Sequence, residues 1–176
     1  MWSTYCEKVL TAVEKKTLSI PERSLLVADS TIADELQRLT AVYKGWNKLL
    51  KKNVKAAHPL VLCVSHAARR VLKQEAGCTV AKLFAKHFKV TEQAAFLAAH
   101  PVRTAVATPD RLRTLIEEQH LHLDSLRLFL LDWNYRHQNG RQLADVGQVR
   151  DAALLLLAKH IVPLMHDNKR LKLILL

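Results

Sequence analysis

The chain has few glycines, and this scarcity excludes one large class of nucleotide-binding sites. Only 4 of its 176 residues are glycine. None of Gly45, Gly77, Gly140 and Gly147 is followed by Lys and then by Ser or Thr. The sequence therefore lacks the Gly-rich phosphate-binding loop, which ends in Gly-Lys-Ser or Gly-Lys-Thr. Phosphoryl transfer of that type needs the lysine to hold the phosphates, so we do not expect ATP hydrolysis.

Cysteine is also scarce. The 3 cysteines are far apart in the sequence and form no Cys-x-x-Cys pair, which is typical of reduced thiols in an intracellular compartment. The spacings His120-x-His122 and Cys63-x-x-His66 are too sparse for a zinc site, which usually has four ligands. We therefore expect neither a metal nor a cofactor.

Long apolar runs are missing as well. The most apolar stretch, Leu154–Ala158, is interrupted by Lys159 and is much shorter than a membrane span. The N-terminus has Glu7 at an early position and no long apolar run, which is unlike a secretory signal. We therefore expect a protein without a membrane contact.

Acidic residues are outnumbered by basic ones. The sequence has 27 Lys and Arg against 16 Asp and Glu, a formal net charge of +11. Such an excess favours polyanionic partners, because basic side chains displace the counterions condensed on phosphates. A basic protein whose charges never contact nucleic acid has the same composition. The length suits one domain, and 49% hydrophobic residues indicate a folded core.

Residues 1–57 have the pattern of an N-terminal helical segment. Thr4 and Glu7 have capping-box spacing at the start of an apolar-periodic stretch, which predicts a helix over residues 1–17. Pro21 ends that stretch. The short apolar run Leu25–Ala28 fits either a strand or an extended packing segment.

A second N-terminal helix is predicted to begin at a cap at Ser30 or Thr31 and to continue to Leu50. Its first turn is acidic, as the helix dipole favours. Its C-terminal half is basic, with Lys44, Lys48, Lys51 and Lys52. Because the same dipole favours cations at this end, part of the basic cluster is explained by helix chemistry alone.

Residues 58–176 alternate between strand-like and helix-like patterns. The apolar runs that suit buried strands are Leu60–Val64, Arg103–Ala107, Leu126–Leu131 and Leu171–Leu176. Helical patterns between them begin at Ser65, Thr91, Thr108 and about Gln148. Strands that alternate with helices imply parallel pairing through right-handed crossovers. The sequence therefore predicts a three-layer α/β sandwich.

Polar residues follow three of these strands, at the edge where an open parallel sheet collects its functional groups. They are Ser65-His66-Ala67-Ala68-Arg69-Arg70, then Thr108-Pro109-Asp110-Arg111, then Asp132-Trp133-Asn134-Tyr135. In order and spacing, the series resembles motifs Ia, Ib and II of DEAD-box RNA helicases. The resemblance implies a fold of the RecA-like class. We therefore predict a RecA-like (P-loop-NTPase-like) parallel sheet with N-terminal helices and no P-loop.

The second of these motifs is the most informative. Thr108 and Pro109 predict a helix start, whose free amides and dipole suit a phosphate. In the helicases the matching residues hold the RNA backbone, so the resemblance implies RNA contacts for Ser65, Arg69, Arg70, Thr108 and Arg111. Asp110 replaces the usual glycine and places a carboxylate near a bound phosphate. An ordinary capped helix has the same Thr-Pro pattern.

The third motif is degenerate. Asp132 is retained, but Trp133 occupies the position of the helicase glutamate and Tyr135 that of the last aspartate. This set lacks the carboxylates that Mg²⁺ and the attacking water require. The two aromatic side chains either stack on bases or fill the vacated nucleotide pocket.

One family combines these losses. The string Val80–Lys89, read as VAKLFAKHFK, resembles a segment of the Cms-one proteins, eukaryotic nucleolar factors of small-subunit ribosome assembly. Ala107–Arg111 and Leu131–Trp133 resemble the same family, and the likeness extends from about Leu60 to the C-terminus. Within the string, Lys82, Lys86 and Lys89 repeat at helical spacing. This predicts a basic stripe, which is either a solvated face or a docking surface for rRNA or an acidic partner.

We therefore predict a pseudo-helicase in the nucleolus. It is a non-catalytic scaffold of the small-subunit processome that docks on pre-rRNA and on processome proteins, without a small-molecule substrate. Two other classes stay open. One is a nucleotide- or S-adenosylmethionine-dependent α/β enzyme with a pocket at Ser65, Thr108 and Asp132. The other is a purely protein-binding module, which would lack salt-sensitive RNA affinity.

Overall fold

The computed structural model describes residues 19–29, 31–32, 34–64, 80–86, 88–132 and 145–176. The helix predicted over residues 1–17 and the one predicted to begin at Ser65 lie outside the described residues.

The centre of the structure is a six-stranded sheet in which every pair of neighbouring strands is parallel. The strands are β1 (Leu25–Val27), β2 (Val61–Val64), β3 (Val80–Leu83), β4 (Thr104–Ala107), β5 (Leu128–Leu131) and β6 (Lys172–Leu175). Their order across the sheet is β1-β6-β5-β2-β4-β3. The predicted parallel sheet is confirmed, and the four predicted strands correspond to β2, β4, β5 and β6.

The described helices are α1 (Glu35–Val42), α2 (Trp46–Leu50), α3 (Val90–Ala99), α4 (Pro109–Glu117), α5 (Gly147–Leu156) and α6 (Val162–Asp167). A π-helical turn, Leu157–Ile161, joins α5 to α6. Pro163 is the second residue of α6. A proline has no backbone N–H and its ring clashes with the carbonyl one turn earlier, so the helix cannot continue there with regular α geometry.

The sheet separates two apolar cores. Along β2, Leu62 and Val64 pack into one core with residues of α3 to α6, whereas Val61 and Cys63 pack into the other with residues of α1 and α2. All four of these side chains are fully buried. Side chains alternate between the faces of a strand, so a run that is apolar at every position requires a cover on both faces. The predicted three-layer arrangement is confirmed.

The prediction of one continuous helix up to Leu50 is wrong. The chain leaves the helical conformation at Tyr43, and Gly45 is the N-cap of the separate helix α2. The break allows Trp46, which is 1% exposed, to pack into the core beneath α1 and α2. The predicted cap is also wrong, because the carboxylate of Asp34 accepts the Gln37 amide at 2.7 Å and caps α1.

The apolar run near residue 25, for which two interpretations were open, forms a strand. Leu25 to Val27 pair with Leu173 to Leu175 of β6 in parallel register. The amide of Ala28 extends this pairing by donating to the carbonyl of Leu175 at 2.9 Å. Residues of the N-terminal segment thus contribute one edge of the sheet.

The helical stripe predicted from Lys82, Lys86 and Lys89 is wrong. Lys82 lies in strand β3, Lys86 lies in the following turn, and Lys89 is the N-cap of α3 in place of the predicted Thr91. Glu92 explains this helix start, because its carboxylate accepts the backbone N–H of Lys89 at 2.8 Å. That bond satisfies one of the amide donors that a helix leaves unpaired at its first turn.

Gln119 ends α4 in the left-handed backbone region, with φ 60°. The amide of Gln119 donates to Ile116 and that of His120 to Leu115, the hydrogen-bond pattern of a Schellman motif. Glycine is the usual residue at this position, because a Cβ in that conformation costs about 1–2 kcal/mol. We expect Gln119→Gly to raise the free energy of unfolding by about 0.5–1 kcal/mol in urea denaturation.

The matched control for this prediction is Glu118→Gly. Its backbone has φ −83°, so glycine relieves nothing there and adds chain entropy to the unfolded state. We expect this variant to lose about 0.5–1 kcal/mol. Equal changes for the two variants would contradict the strain at Gln119.

Candidate nucleic-acid interface

The three strands that precede the predicted motifs end side by side. Val64, the last residue of β2, is level with Ala107 of β4 on one side and with Leu131 of β5 on the other. Thr108 and Asp132 follow these strands directly. The amide of Asp132 donates to the carbonyl of Val64 at 3.0 Å. The motifs that follow β4 and β5 therefore begin at one edge of the sheet, as the sequence predicted.

Several predicted site residues lie outside the described residues. They are Ser65, Arg69 and Arg70, which follow β2, and Trp133 and Tyr135, which follow β5. Asp132, the described residue of the degenerate third motif, is 6% exposed. The side chain of Asp132 is thus buried at this edge of the sheet and does not lie on its surface.

Thr108 is the N-cap of α4, with an extended backbone at φ −71° and ψ 153° and with Pro109 in the first turn. Within the described part of the chain, its side chain makes no capping hydrogen bond. The sequence prediction of a helix start here is confirmed. The first-turn amides and the positive end of the helix dipole thus point towards the carboxyl edge of the sheet, an arrangement that suits an anion.

Arg111 lies in the same first turn and is held by a buried glutamine. Its Nη1 donates to Oε1 of Gln93 at 3.1 Å. Gln93 is 3% exposed, and its Nε2 donates to the carbonyl of Phe84 at 3.3 Å. These bonds join α4 to α3 and to the segment after β3. A guanidinium has five N–H donors, and the bond to Gln93 orients the group while it uses one of them.

No pattern in the sequence indicates the role of Gln93. A glutamine between Glu92 and Ala94 on a helix is ordinary for a solvent-facing position, and its burial depends on how α3 and α4 pack together. A buried amide needs partners for both its oxygen and its nitrogen. Arg111 and the Phe84 carbonyl supply one for each.

Asp110, the residue that replaces glycine in the second motif, points its charge towards a neighbouring arginine. Its carboxylate lies 3.5 Å from Nη2 of Arg113 on the next turn, and its side chain is 68% exposed. Arg113 also pairs with Glu117 at 3.2 Å. The carboxylate is thus partly compensated by a cation, although exposed ion pairs of this kind contribute little to stability.

Lys82, Lys86 and Lys89 are all exposed and lie near the carboxyl end of β3. Strand β3 is adjacent to β4, with Leu83 level with Ala107. The three lysines therefore extend the same edge beyond α4, although they do not form a helical stripe. Together with Arg111 they give this corner of the sheet a positive charge.

The connection from β1 to α1 has the opposite charge. The carboxylate of Asp29 accepts the hydroxyl of Thr31 at 2.7 Å and its amide at 2.9 Å. These two hydrogen bonds, that of the hydroxyl first, hold the pKa of the Asp29 carboxyl below its ordinary value. Asp34 caps α1 a few residues later. Sequence reasoning did not identify this pair of carboxylates as a feature of the edge.

The described residues hold neither a metal-binding cluster nor a membrane-spanning helix. They contain no group of three or more His, Cys, Asp or Glu side chains placed to hold a metal ion. None of their helices combines the length and the apolar character that a membrane crossing requires.

The fold is that of a RecA-like domain. Two solved structures of Dbp5 from S. cerevisiae resemble it: one bound to RNA and ADP BeF3, with a TM-score of 0.55 and 16% identity, and one bound to nup159, gle1, IP6 and ADP, with a TM-score of 0.51 and 13% identity. They cover 97% and 98% of this chain, which corresponds to 41% and 43% of their own chains. At such low identity the likeness concerns the fold alone.

The chain belongs to the CMS1 family. The family model, described as "U3-containing 90S pre-ribosomal complex subunit", matches residues 6–176. Protein CMSS1 of Danio rerio is 30% identical over 90% of this chain, and Protein CMS1 of Chaetomium thermophilum is 34% identical over 80%. Human Protein CMSS1 is 30% identical over 86%. The chain spans 57% to 59% of the length of these relatives.

Proposed function

We propose that this domain is a non-catalytic scaffold of the small-subunit precursor, acting in the nucleolus, whose carboxyl edge docks on pre-rRNA. The observation that supports it most is that Arg111, which Gln93 holds in place, lies in the first turn of a helix whose N-cap, Thr108, makes no side-chain capping bond within the described residues. Both groups recognise phosphate without reading base sequence. The family description, which names a U3-containing pre-ribosomal complex, supports the same proposal.

The charge distribution agrees with an RNA backbone as the ligand. Lys89 and Arg111 lie in the segments that follow the neighbouring strands β3 and β4 at the carboxyl edge. A polyanion that runs along this edge meets several cations in succession. Each phosphate neutralised in this way releases condensed counterions, which strengthens binding at low salt. Ser65, Arg69 and Arg70 follow β2 in sequence, and we propose that they belong to the same interface.

Removal of Arg111 tests this interface. We expect Arg111→Ala to weaken the affinity for a single-stranded pre-rRNA fragment by about ten- to a hundredfold, since a charge-assisted hydrogen bond contributes about 1.5–3 kcal/mol. The slope of log affinity against log salt should fall by about 0.7, the value for one phosphate contact on a single strand. Fluorescence anisotropy across a salt series measures both quantities.

The matched control is Arg170→Ala. Arg170 is exposed in the turn before β6, which places it at the amino end of the strands, away from the proposed interface. The two variants lose the same charge, so a general effect of net charge would weaken RNA binding equally in both. An equal loss would contradict a specific role for Arg111.

We propose that the domain neither binds nor hydrolyses ATP. The sequence lacks a phosphate-binding loop, and Trp133 stands at the position of the helicase glutamate. The connection after β1 adds a physical reason, because Asp29 already occupies the amide and hydroxyl of Thr31. A phosphate at these donors would have to displace the Asp29 carboxylate, whose pKa the two hydrogen bonds from Thr31 hold below its ordinary value.

A thermal shift assay tests the absence of nucleotide binding. A ligand that binds the folded state raises the melting temperature in proportion to RT ln(1 + [L]/Kd). We expect Mg-ATP and S-adenosylmethionine at about 1 mM to leave the melting temperature within about 1 °C. Single-stranded RNA serves as the positive control. A saturable rise with either small molecule would favour the enzyme alternative instead.

A further inference from the structure

Strand β3 forms one edge of the sheet. It pairs with β4 on one side, and no described strand pairs with it on the other. Such an edge presents a row of backbone N–H and C=O groups to any chain that approaches in an extended conformation. The four residues Val80–Leu83 correspond to about 13 Å of strand at 3.3 Å per residue.

An apolar groove runs beside this edge. It has a volume of about 480 Å³ and lies between β3 and one side of the segment that contains α3. Two phenylalanines line it and are unusually exposed for their type, Phe88 at 51% and Phe96 at 36%. Phe96 stacks on His100, with ring centroids 4.6 Å apart, which fixes one wall of the groove. Exposed aromatic side chains beside an open strand edge are typical of a surface that a partner covers.

The charge around the groove is positive. Lys82 lines it, and Lys86 and Lys89 are exposed in the segment between β3 and α3. Among the described residues that line the groove, the acidic one is Glu92, and its carboxylate accepts the backbone amide of Lys89 at 2.8 Å. An occupant that matches these features has large apolar side chains for the groove and acidic side chains for the lysines.

We propose that this groove, with the edge of β3, binds an extended segment of another protein that alternates apolar and acidic residues and adds a strand to the sheet. Backbone hydrogen bonds along β3 hold the segment, its apolar side chains contact Phe88 and Phe96, and its carboxylates face Lys82 and Lys86. This is the β-augmentation mode of peptide recognition. The inference rests on the proposed scaffold role, because it specifies how the scaffold holds a protein neighbour.

The same features argue against two other occupants. A second copy of the chain, paired edge to edge, would bring one Lys82 close to another, and like charges on facing strands are destabilising. An RNA strand would be attracted by the lysines, but its phosphates would face the carbonyl groups of the edge strand. The alternating backbone donors and acceptors of β3 and the apolar wall beside them match an extended polypeptide better than they match an RNA strand.

Photo-crosslinking in intact cells tests the proposal. The tagged chain carries p-benzoylphenylalanine in place of Phe88 or Phe96, which are exposed and already aromatic. The cells are irradiated before purification, and the crosslinked species is sequenced. We expect a crosslink to one segment of another protein in which apolar and acidic residues alternate. A synthetic peptide of that segment should then bind the purified chain in fluorescence anisotropy.

Charge reversal makes the test specific. Lys82→Glu with Lys86→Glu should reduce both the crosslink yield and the peptide affinity by at least about tenfold, because the acidic segment is then repelled. Lys169→Glu, an exposed change elsewhere on the surface, should leave both unchanged. N-methylation of alternate peptide amides should abolish binding in one register and not in the other, as strand addition requires.

The possible failures are distinguishable. A crosslink to RNA, to a second copy or to another part of the same chain would overturn the proposal, as would the absence of a crosslink. The RNA that co-purifies with the tagged chain reports separately on the scaffold role. Loss of precursor rRNA from that fraction contradicts the proposed function, whereas its presence without the expected crosslink contradicts only the assignment of the groove.

Discussion

Phe129→Ala is expected to lower the free energy of unfolding by about 3–5 kcal/mol, the range for a large aromatic side chain deleted from a packed core. Phe129 lies in the middle of β5, between β2 and β6, and is 0% exposed. It belongs to the core beneath α3 to α6. A cavity at this position would be surrounded by strands that cannot move inwards without breaking the sheet, so little relaxation is available.

Urea denaturation followed by circular dichroism measures this loss. Phe88→Ala is the matched control, because it removes the same atoms from a side chain that is 51% exposed. Surface changes of this kind stay within about 0.5 kcal/mol. A loss of less than about 1.5 kcal/mol for Phe129→Ala would contradict the position of Phe129 in the core.

The second large effect concerns RNA. The triple variant Arg69→Glu, Arg70→Glu and Arg111→Glu is expected to weaken binding to single-stranded pre-rRNA fragments by more than about a hundredfold. Three cations of the proposed interface become three anions, so attraction to the phosphates changes to repulsion. Recruitment of the tagged variant to pre-ribosomal particles should fall with it. Anisotropy and quantitative co-purification measure the two effects.

A triple variant of equal charge change provides the control. Lys48, Lys51 and Lys52 form an exposed basic cluster in and directly after α2, where the helix dipole explains their presence. Their replacement by glutamate should reduce RNA affinity much less, through net charge alone. If both triple variants bound RNA equally weakly, the interface would not be confined to the carboxyl edge. If the Arg69, Arg70 and Arg111 variant bound normally, the RNA-facing assignment would be wrong.

Where the local pattern and the tertiary environment agree, the sequence predicted the structure. Val61–Val64 is apolar at every position, which requires a strand covered on both faces, and it is the central strand β2. Thr108 and Pro109 begin α4 because Pro109 has the φ of a first helical turn and needs no hydrogen-bond partner for its nitrogen. In both cases the signal lies within a few adjacent residues.

The errors arose where that local signal was ambiguous. The run from Val80 to Phe88 alternates between apolar and basic residues in a way that fits periods of 2 and of 3.6 over so short a length. Residues Val80–Leu83 form a strand because they pair with β4. No residue within the run predicts that pairing. The break at Tyr43 accompanies the burial of Trp46 in the core between the sheet and helices α1 and α2. The helical spacing of the apolar residues does not predict that burial.

The candidate site was predictable in part for the same reason. The order of the motifs placed Thr108 and Asp132 at one edge, since the carboxyl ends of parallel strands meet there. The orientation of Arg111 was not predictable, because it depends on Gln93 and on the Phe84 carbonyl. These residues come from separate elements, which only the packing of α3 against α4 brings together. The sequence does not place the carboxylate of Asp29 at this edge, because the run before it fits either a strand or an extended packing segment.

We propose that this domain acts as a non-catalytic scaffold in the small-subunit precursor, and affinity purification of the tagged protein tests this proposal most directly. The co-purifying RNA is sequenced and the co-purifying proteins are identified. We expect enrichment of small-subunit precursor rRNA together with U3 RNA and assembly proteins. Recovery of the protein alone, or with metabolic enzymes and without these RNAs, would contradict the claim.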